Sequence, residues 1–312
     1  MKIGISSYPL HTIREADKHL YPTRCNHCNR DLYQVGKLVR DAGFEYCEMS
    51  GLGDIMFCLS GYTGNDYIGE CTRIGEYYNK IGLKVDKVHA GFTIDRNKHD
   101  WKPLLDDAIK CIDKTVAIGS NLLVIHADVY TCEYGKYNEK DAFKTAYEYV
   151  APIVEKAKKC GVNIAIENLF EEGQANTRLR YTSTAEDLIE IIDAFGDPCV
   201  TCCWDFGHAA VAFGDDMVNQ MKKLGNRITC THIHDNKSTG PATMHIYNYL
   251  KDLHLPIFYG KINWEENIRA LKDLGFDGVY NLELGDLNFP EALLLDNLKM
   301  IYKNSRYMLE NY

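Results

Sequence analysis

The chain has 312 residues, 46% hydrophobic and 25% charged, with a formal net charge of −9; this ordinary globular composition excludes a disordered or collagen-like polymer. No apolar run reaches the roughly 18–20 residues that span a membrane, and the opening MKIGISSYPLHTIREADKHL lacks the apolar centre and cleavage site of a signal peptide. The expectation is a cytoplasmic protein of one domain over residues 1–312 with no membrane partner, whose acidic balance, without a long Lys/Arg patch, disfavours nucleic acid.

Along the chain, short β-rich runs alternate with longer stretches of helical period. The runs are KIGISSY (2–8), YCEMSGL (46–52), LKVDKVHAG (83–91), NLLVIHADV (121–129), VNIAIENLF (162–170), CVTCCWDFGH (199–208), ITCTHIHDN (228–236) and DGVYNLELG (277–285). Between and after them, apolar residues at i, i+3 and i+4 predict helices over 31–43, 67–82, 101–119, 141–161, 185–196, 216–225, 264–275 and 290–309. Gly43, Gly82, Gly119, Gly161, Gly225 and Gly275 stand where helices should close. Eight βα units over 312 residues give 39 residues each, the pattern of a single α/β (β/α)8 TIM barrel. A doubly wound open sheet also alternates strand and helix, but it carries a Gly-rich turn after its first strand, and ISSYPLHT has none.

Most of the 12 cysteines lie singly in apolar runs, including Cys47, Cys111, Cys160, Cys202, Cys203 and Cys230, and read as small core hydrophobes. Cys25 and Cys28 in RCNHCNR have zinc-knuckle spacing, with Cys58 and Cys71 as candidate second partners; free thiols on a loop are the alternative.

In a TIM barrel the active site lies at the carboxyl ends of the strands. There the third and fourth strands place His89 and His126, and the fifth Glu167 and Asn168. The sixth carries Asp205 with His208 three residues on, the seventh His232, His234 and Asp235, and the eighth Glu283. Six consecutive strands thus end in metal-ligand residue types. Glu167 and Glu283 sit among apolar neighbours with no Arg or Lys on their own strands, and a buried carboxylate needs a counter-charge. A divalent cation supplies one, and a mixed oxygen and nitrogen set suits Mn²⁺ first, with Co²⁺, Mg²⁺ or Zn²⁺ as alternatives. Trp204, as a strand neighbour of Asp205, is expected to point away from the site.

VHAGF (88–92), VIHAD (124–128), AIEN (165–168), WDFGHAAVAFGD (204–215), HIHD (232–235), DLHLPIFYGKINW (252–264) and LEL (282–284) resemble the xylose-isomerase-like barrel superfamily of sugar isomerases and epimerases, which also contains the AP-endonuclease family 2 enzymes. The D-x-x-H from Asp205 to His208 and the D-x-H-x-P…G-x-I-x-W from Asp252 to Trp264 are its most specific pieces. The resemblance implies one divalent metal on Glu167, Asp205, His232 and Glu283. It also implies Glu167 and Glu283 as the catalytic acid and base, assisted by His208, with His89, His126, Asn168, Lys237 and His254 around a small-molecule sugar. The implied reaction in carbohydrate metabolism is intramolecular proton transfer through an enediolate. An Arg expected shortly after His232 is absent, Lys237 being nearest.

The endonuclease branch implies a fuller set of ligands for three metals: His89, His126, Glu167, Asp205, His208, His232, Asp252, His254 and Glu283, all present here. Against that branch stand the −9 charge and the sugar-enzyme style of HLPIFYGKINW. GDLNFPEA (285–292) has one Gly and two acids and is a poor phosphate turn, so the expected substrate is an unphosphorylated sugar or keto-sugar. A lyase or dehydratase acting on a keto-inositol or oxidised glycoside is the neighbouring alternative, and association into homo-oligomers is left open.

Overall fold

The computed structural model describes residues 1–7, 10, 30–50, 64–92, 100–171, 178–237, 252–285, 287 and 289–312. Cys25, Cys28 and Cys58 lie outside them, as does most of the chain between Pro9 and Arg30; Cys71 is buried on a helix.

Eight parallel strands close into a barrel in sequence order. They are β1 (Ile3–Ser6), β2 (Tyr46–Ser50), β3 (Lys84–His89), β4 (Leu122–Ile125), β5 (Asn163–Glu167), β6 (Val200–Asp205), β7 (Ile228–Ile233) and β8 (Tyr280–Leu282), and β8 pairs with β1 to shut the sheet. Around them the described residues form α1 (Leu32–Ala42), α2 (Tyr67–Lys80), α3 (Lys102–Ala117), α4 (Glu139–Cys160), α5 (Ala185–Phe195), α6 (Phe206–Phe213), α7 (Met217–Leu224), α8 (Trp264–Asp273) and α9 (Glu291–Asn311). The chain is a (β/α)8 TIM barrel. Among the described residues, no helix is long and apolar enough to cross a membrane.

Period-2 alternation divides the interior in two. Ile3, Ile5, Met49, Val88, Leu123, Ile125, Ile164, Ile166 and Trp204 face the helices and join the large core between sheet and helix layer. Trp204 stacks on Phe213 at a centroid distance of 6.2 Å, which places it, as its strand parity implies, on the opposite side of the strand from Asp205. The inward-facing set is smaller: Val124, Ala165, Cys203 and Cys230 form their own cluster in the lumen. Glu48, Lys87, His89, Glu167, Asp205 and His232 share this inward parity with their strand neighbours.

The helix ends follow local chemistry. Asp31 caps α1 in a box with Gln34, and Gly43 and Gly161 close α1 and α4 in the left-handed conformation. Several strands are shorter than their β-rich runs, and after β6 the chain turns to helix. The run expected as strand to residue 208 stops at Asp205, whose carboxylate accepts the His208 N–H at 2.6 Å and caps α6. The apolar run after Asp205 is therefore helix rather than strand end.

Gly75 in α2 packs directly against backbone, because a Cβ there would lie 2.4 Å from the Ile118 carbonyl oxygen. In an exposed helix Gly→Ala gains about 1 kcal/mol, whereas overpacking costs about 1–3 kcal/mol, and a backbone atom cannot rotate aside. Gly75→Ala should therefore lower the unfolding free energy by about 1–2 kcal/mol net, read as a lower urea midpoint; a midpoint at or above wild type would contradict this packing.

Candidate metal centre

The carboxyl ends of the strands bring the inward-facing polar residues together. Asp205 on β6 and His232 on β7 are register partners, and Glu167 ends β5 one strand away. Glu283 follows β8, its N–H bonded to the Ile233 carbonyl at 3.1 Å. His232 Nδ1 lies 3.1 Å from Glu167 Oε1, 3.4 Å from Glu283 Oε2 and 3.8 Å from Asp205 Oδ2. One ligand atom from each of the four lies within 4.8 Å of all the others.

Glu167 is the hub. Its Oε2 is 2.9 Å from His89 Nε2 and 3.2 Å from His126 Nε2, and its Oε1 is 3.3 Å from His208 Nδ1. A second group adjoins it. His208 Nε2 and His254 Nε2 approach Asp252 Oδ2 at 3.4 and 3.1 Å, and His234 stacks on His254 with centroids 3.9 Å apart. His234 Nε2 also lies 3.1 Å from Asp205 Oδ1. His208, His234, Asp252 and His254 likewise offer ligand atoms within 4.8 Å of one another.

The electrostatics of this assembly are out of balance without protons or cations. Glu48, Glu167, Asp205, Asp252 and Glu283 converge on a region whose one buried lysine, among the described residues, is Lys87 beside Glu48. Burial opposes ionisation of Glu167, yet His232, His126 and His208 outweigh it and hold the carboxyl well below its usual range. Burial likewise opposes charge on His232 and His208, but carboxylates dominate: Glu283, Glu48 and Glu167 raise His232, and Asp205 and Asp252 raise His208. For His126 burial wins and its pKa falls.

The xylose isomerase-like TIM barrel family model matches residues 37–304. The chain belongs to this family. Among curated relatives, an uncharacterized protein of Methanocaldococcus jannaschii is 27% identical over 201 residues, 63% of each chain. An uncharacterized protein of Sinorhizobium fredii is 24% identical over 191 residues, 59% of this chain and 54% of that one. The chain thus aligns with less than two thirds of the length of either relative. Among solved structures, D-psicose 3-epimerase with D-tagatose from Clostridium cellulolyticum H10 is 18% identical with a TM-score of 0.68, covering 99% of both chains. The IolI protein with a binding zinc atom is 17% identical with a TM-score of 0.70, covering 100% of this chain and 99% of that one. At these identities the likeness is one of fold.

Within this family barrel the structure brings together nine of the polar residues read from the sequence: His89, His126, Glu167, Asp205, His208, His232, Asp252, His254 and Glu283. Asn168 is differently employed. Its amide spans β5 to β6, donating to the Asp205 carbonyl at 2.9 Å and accepting the Asp205 N–H at 2.6 Å. Lys237 is exposed just past β7. The D-x-H-x-P…G-x-I-x-W segment is organised by Asp235, which accepts from the Phe258 and Ile262 N–H groups and the Trp264 indole at 3.1, 3.2 and 3.1 Å.

Three carboxylates and one imidazole fit a hard or borderline divalent ion, since oxygen and nitrogen ligands held about 2.0–2.2 Å from one centre lie within about 4.4 Å of each other. Two buried atoms next to these groups, His234 Nδ1 and Asp252 Oδ1, have no hydrogen-bond partner, as expected where a ligand or water belongs.

Residues missed at the sequence level are Glu48, Lys87, Asn281 and the involvement of His234. Glu48 Oε2 lies 2.7 Å from His232 Nε2 and 3.3 Å from Lys87 Nζ, and accepts from Asn281 Nδ2 at 3.1 Å. A usable signal was present, because Glu48 and Lys87 sit mid-strand at inward parity in YCEMS and KVDKVH.

Burial disfavours the His254 imidazolium, but Asp252, Glu283 and Asp205 outweigh it and raise its pKa from 6.5 to about 10. A group whose pKa is raised on folding contributes stability that is complete below its unfolded value and lost as pH rises through its folded value. Metal-free protein should therefore lose unfolding free energy between pH 6.5 and 10, and His254→Gln should flatten that part of the profile. Urea titrations across this window test it; identical slopes in the two proteins would contradict the assignment.

Proposed function

We propose that the chain is a divalent-metal-dependent sugar isomerase or epimerase acting by proton transfer on an unphosphorylated sugar or keto-sugar. The observation that carries this reading is the clustering of Glu167, Asp205, His232 and Glu283 within 4.8 Å, with Glu283 partly open at 20% exposure while the other three are buried. The solved structures of similar fold include D-psicose and L-ribulose 3-epimerases and IolI with zinc, and these names support the substrate class.

In this reading Glu167, Asp205, His232 and Glu283 hold the ion, with Mn²⁺ favoured. A bound divalent ion would draw electron density from a substrate carbonyl and acidify the neighbouring C–H. The two glutamates are not equivalent. Glu283 is the exposed one and is suited to take the proton from carbon. Glu167 has imidazoles of His89 and His126 on one oxygen and of His208 and His232 on the other. The His89, His126 and His208 imidazoles keep it anionic until substrate enters, so it is suited to exchange a proton with His208 beside it and deliver one on the opposite face. His208 is braced for this by the Asn168 carbonyl at 2.9 Å from Nδ1.

A second reading, a metallonuclease of the AP-endonuclease kind, is supported by the adjoining group His208, His234, Asp252 and His254. Metal analysis separates the two: about one Mn²⁺-like ion per chain supports the isomerase, and three tightly held zinc ions would overturn it.

Glu167→Gln and Glu283→Gln are each expected to lower turnover by about 10²–10⁴-fold, the usual worth of a positioned acid or base, while sugar binding measured by calorimetry persists. Wild-type activity in either variant removes the two-carboxylate mechanism. Incubation with ketoses such as D-tagatose or D-psicose in D₂O should place deuterium on the carbon beside the carbonyl. Elimination of water instead would assign the protein to the dehydratases, and no incorporation or elimination with any carbonyl substrate would exclude both.

A further inference from the structure

Glu48 lies on β2, across the lumen from the strands that supply the candidate ligands, and is completely buried. Every approach to its carboxylate comes from a group able to donate. Oε2 faces Lys87 Nζ at 3.3 Å, Asn281 Nδ2 at 3.1 Å and His232 Nε2 at 2.7 Å, and Oε1 accepts from Ser50 Oγ at 3.0 Å. An ionised carboxylate accepts only, so the proton on the His232 ring belongs on Nε2. The opposite nitrogen, Nδ1, is the one that faces Glu167, Asp205 and Glu283. The His89 ring, stacked on His232 at 5.6 Å and 19°, limits its tilt.

The geometry points to Glu48, held in place by Lys87, as a positioning residue that fixes the tautomer and orientation of His232 so that Nδ1 is presented to a divalent ion. The inference rests on the reading of Glu167, Asp205, His232 and Glu283 as metal ligands. Stability alone does not account for the pair: a buried ion pair is often no better than apolar residues of like volume, and a Leu–Met pair would fill this part of the lumen. What an apolar pair cannot do is accept an N–H. A carboxylate behind a ligating imidazole is a recurrent means of orienting the ring and raising its basicity, and its loss typically costs 10–100-fold in metal affinity.

The test uses the double variant Glu48→Leu/Lys87→Met, which removes the pair without leaving either charge uncompensated. Its thermal midpoint should stay near wild type while the Mn²⁺ dissociation constant, measured by calorimetry on metal-stripped protein, rises by about 10–100-fold. Unchanged Mn²⁺ affinity in the folded double variant would overturn the role of Glu48. Wild-type protein that binds no Mn²⁺ would instead remove the metal centre itself, and this inference with it. A measurement on the wild type stands independently of how the variant folds. In Zn²⁺-loaded protein labelled with ¹⁵N-histidine, the ring resonance lost in His232→Gln should show its proton on Nε2; a proton on Nδ1 would overturn the proposal.

Discussion

The upper half of the barrel is organised by a shortage of positive charge. Five carboxylates, Glu48, Glu167, Asp205, Asp252 and Glu283, converge on a region whose one buried lysine is Lys87 among the described residues. Uncompensated carboxylates in a low-dielectric interior cost several kcal/mol each, so the imidazoles packed against them must either carry protons or share cations with them. In the metal-free protein the raised pKa values of His89, His208, His232 and His254 show the first solution. A divalent ion offers the second, replacing protons on the ligating nitrogens and making metal affinity pH-dependent. Folding and function are thus coupled, since the groups that need a counter-charge to remain buried are the groups a metal would use.

This arrangement was legible in the sequence to the extent that it follows strand parity. Eight β-rich runs alternating with helical stretches identified the barrel, His, Asp and Glu at strand ends identified its mouth, and the alternation of residues along a strand turned Trp204 away from Asp205. Parity also puts His232 and His234 on one face, although only the structure shows His234 against Asp205 and His254. Glu48 and Lys87 were not legible in the same way. They lie within strands rather than beyond them, and their partner His232 is 184 residues away from Glu48, a pairing made by barrel closure and by no local pattern. Asn168 shows the opposite case. It stands beside Glu167 in a motif that touches the site, yet successive residues diverge where the strand ends, and its amide donates to and accepts from the Asp205 backbone.

The D-x-x-H motif illustrates how one residue serves fold and site together. Asp205 ends β6, accepts the His208 N–H and so starts α6. The same carboxylate faces His232 and His234. Starting a helix at Asp205 places His208 on its first turn, directed back toward Glu167, a direction that an extended strand to residue 208 would not give. Between them Gly207 is required by space: a Cβ there would fall 1.8 Å from the His234 ring. The helix start, the glycine and the stacked His234–His254 pair therefore form one packing solution rather than three separate motifs.

The loop after β7 follows the same logic at longer range. Asp235 immediately follows His234, and its carboxylate accepts from the backbone of Phe258 and Ile262 and from the Trp264 indole. Gly260 permits this closeness, because a Cβ there would lie 2.1 Å from Asp235 Oδ1. The bridge between Asp235 and Leu255 then carries Asp252 and His254 over the mouth, where His254 adopts a left-handed φ of 46°. Such a conformation costs a non-glycine residue of order 1–3 kcal/mol, and here the surrounding bonds impose it: His254 Nδ1 lies 3.1 Å from the Glu283 carbonyl and Nε2 3.1 Å from Asp252. The second group of candidate ligands is therefore built on a loop whose geometry is dictated by a residue of β7. Any change that loosens Asp235 should act on Asp252 and His254 without touching Glu167, Asp205 or His232, which separates the two halves of the site by the elements that hold them.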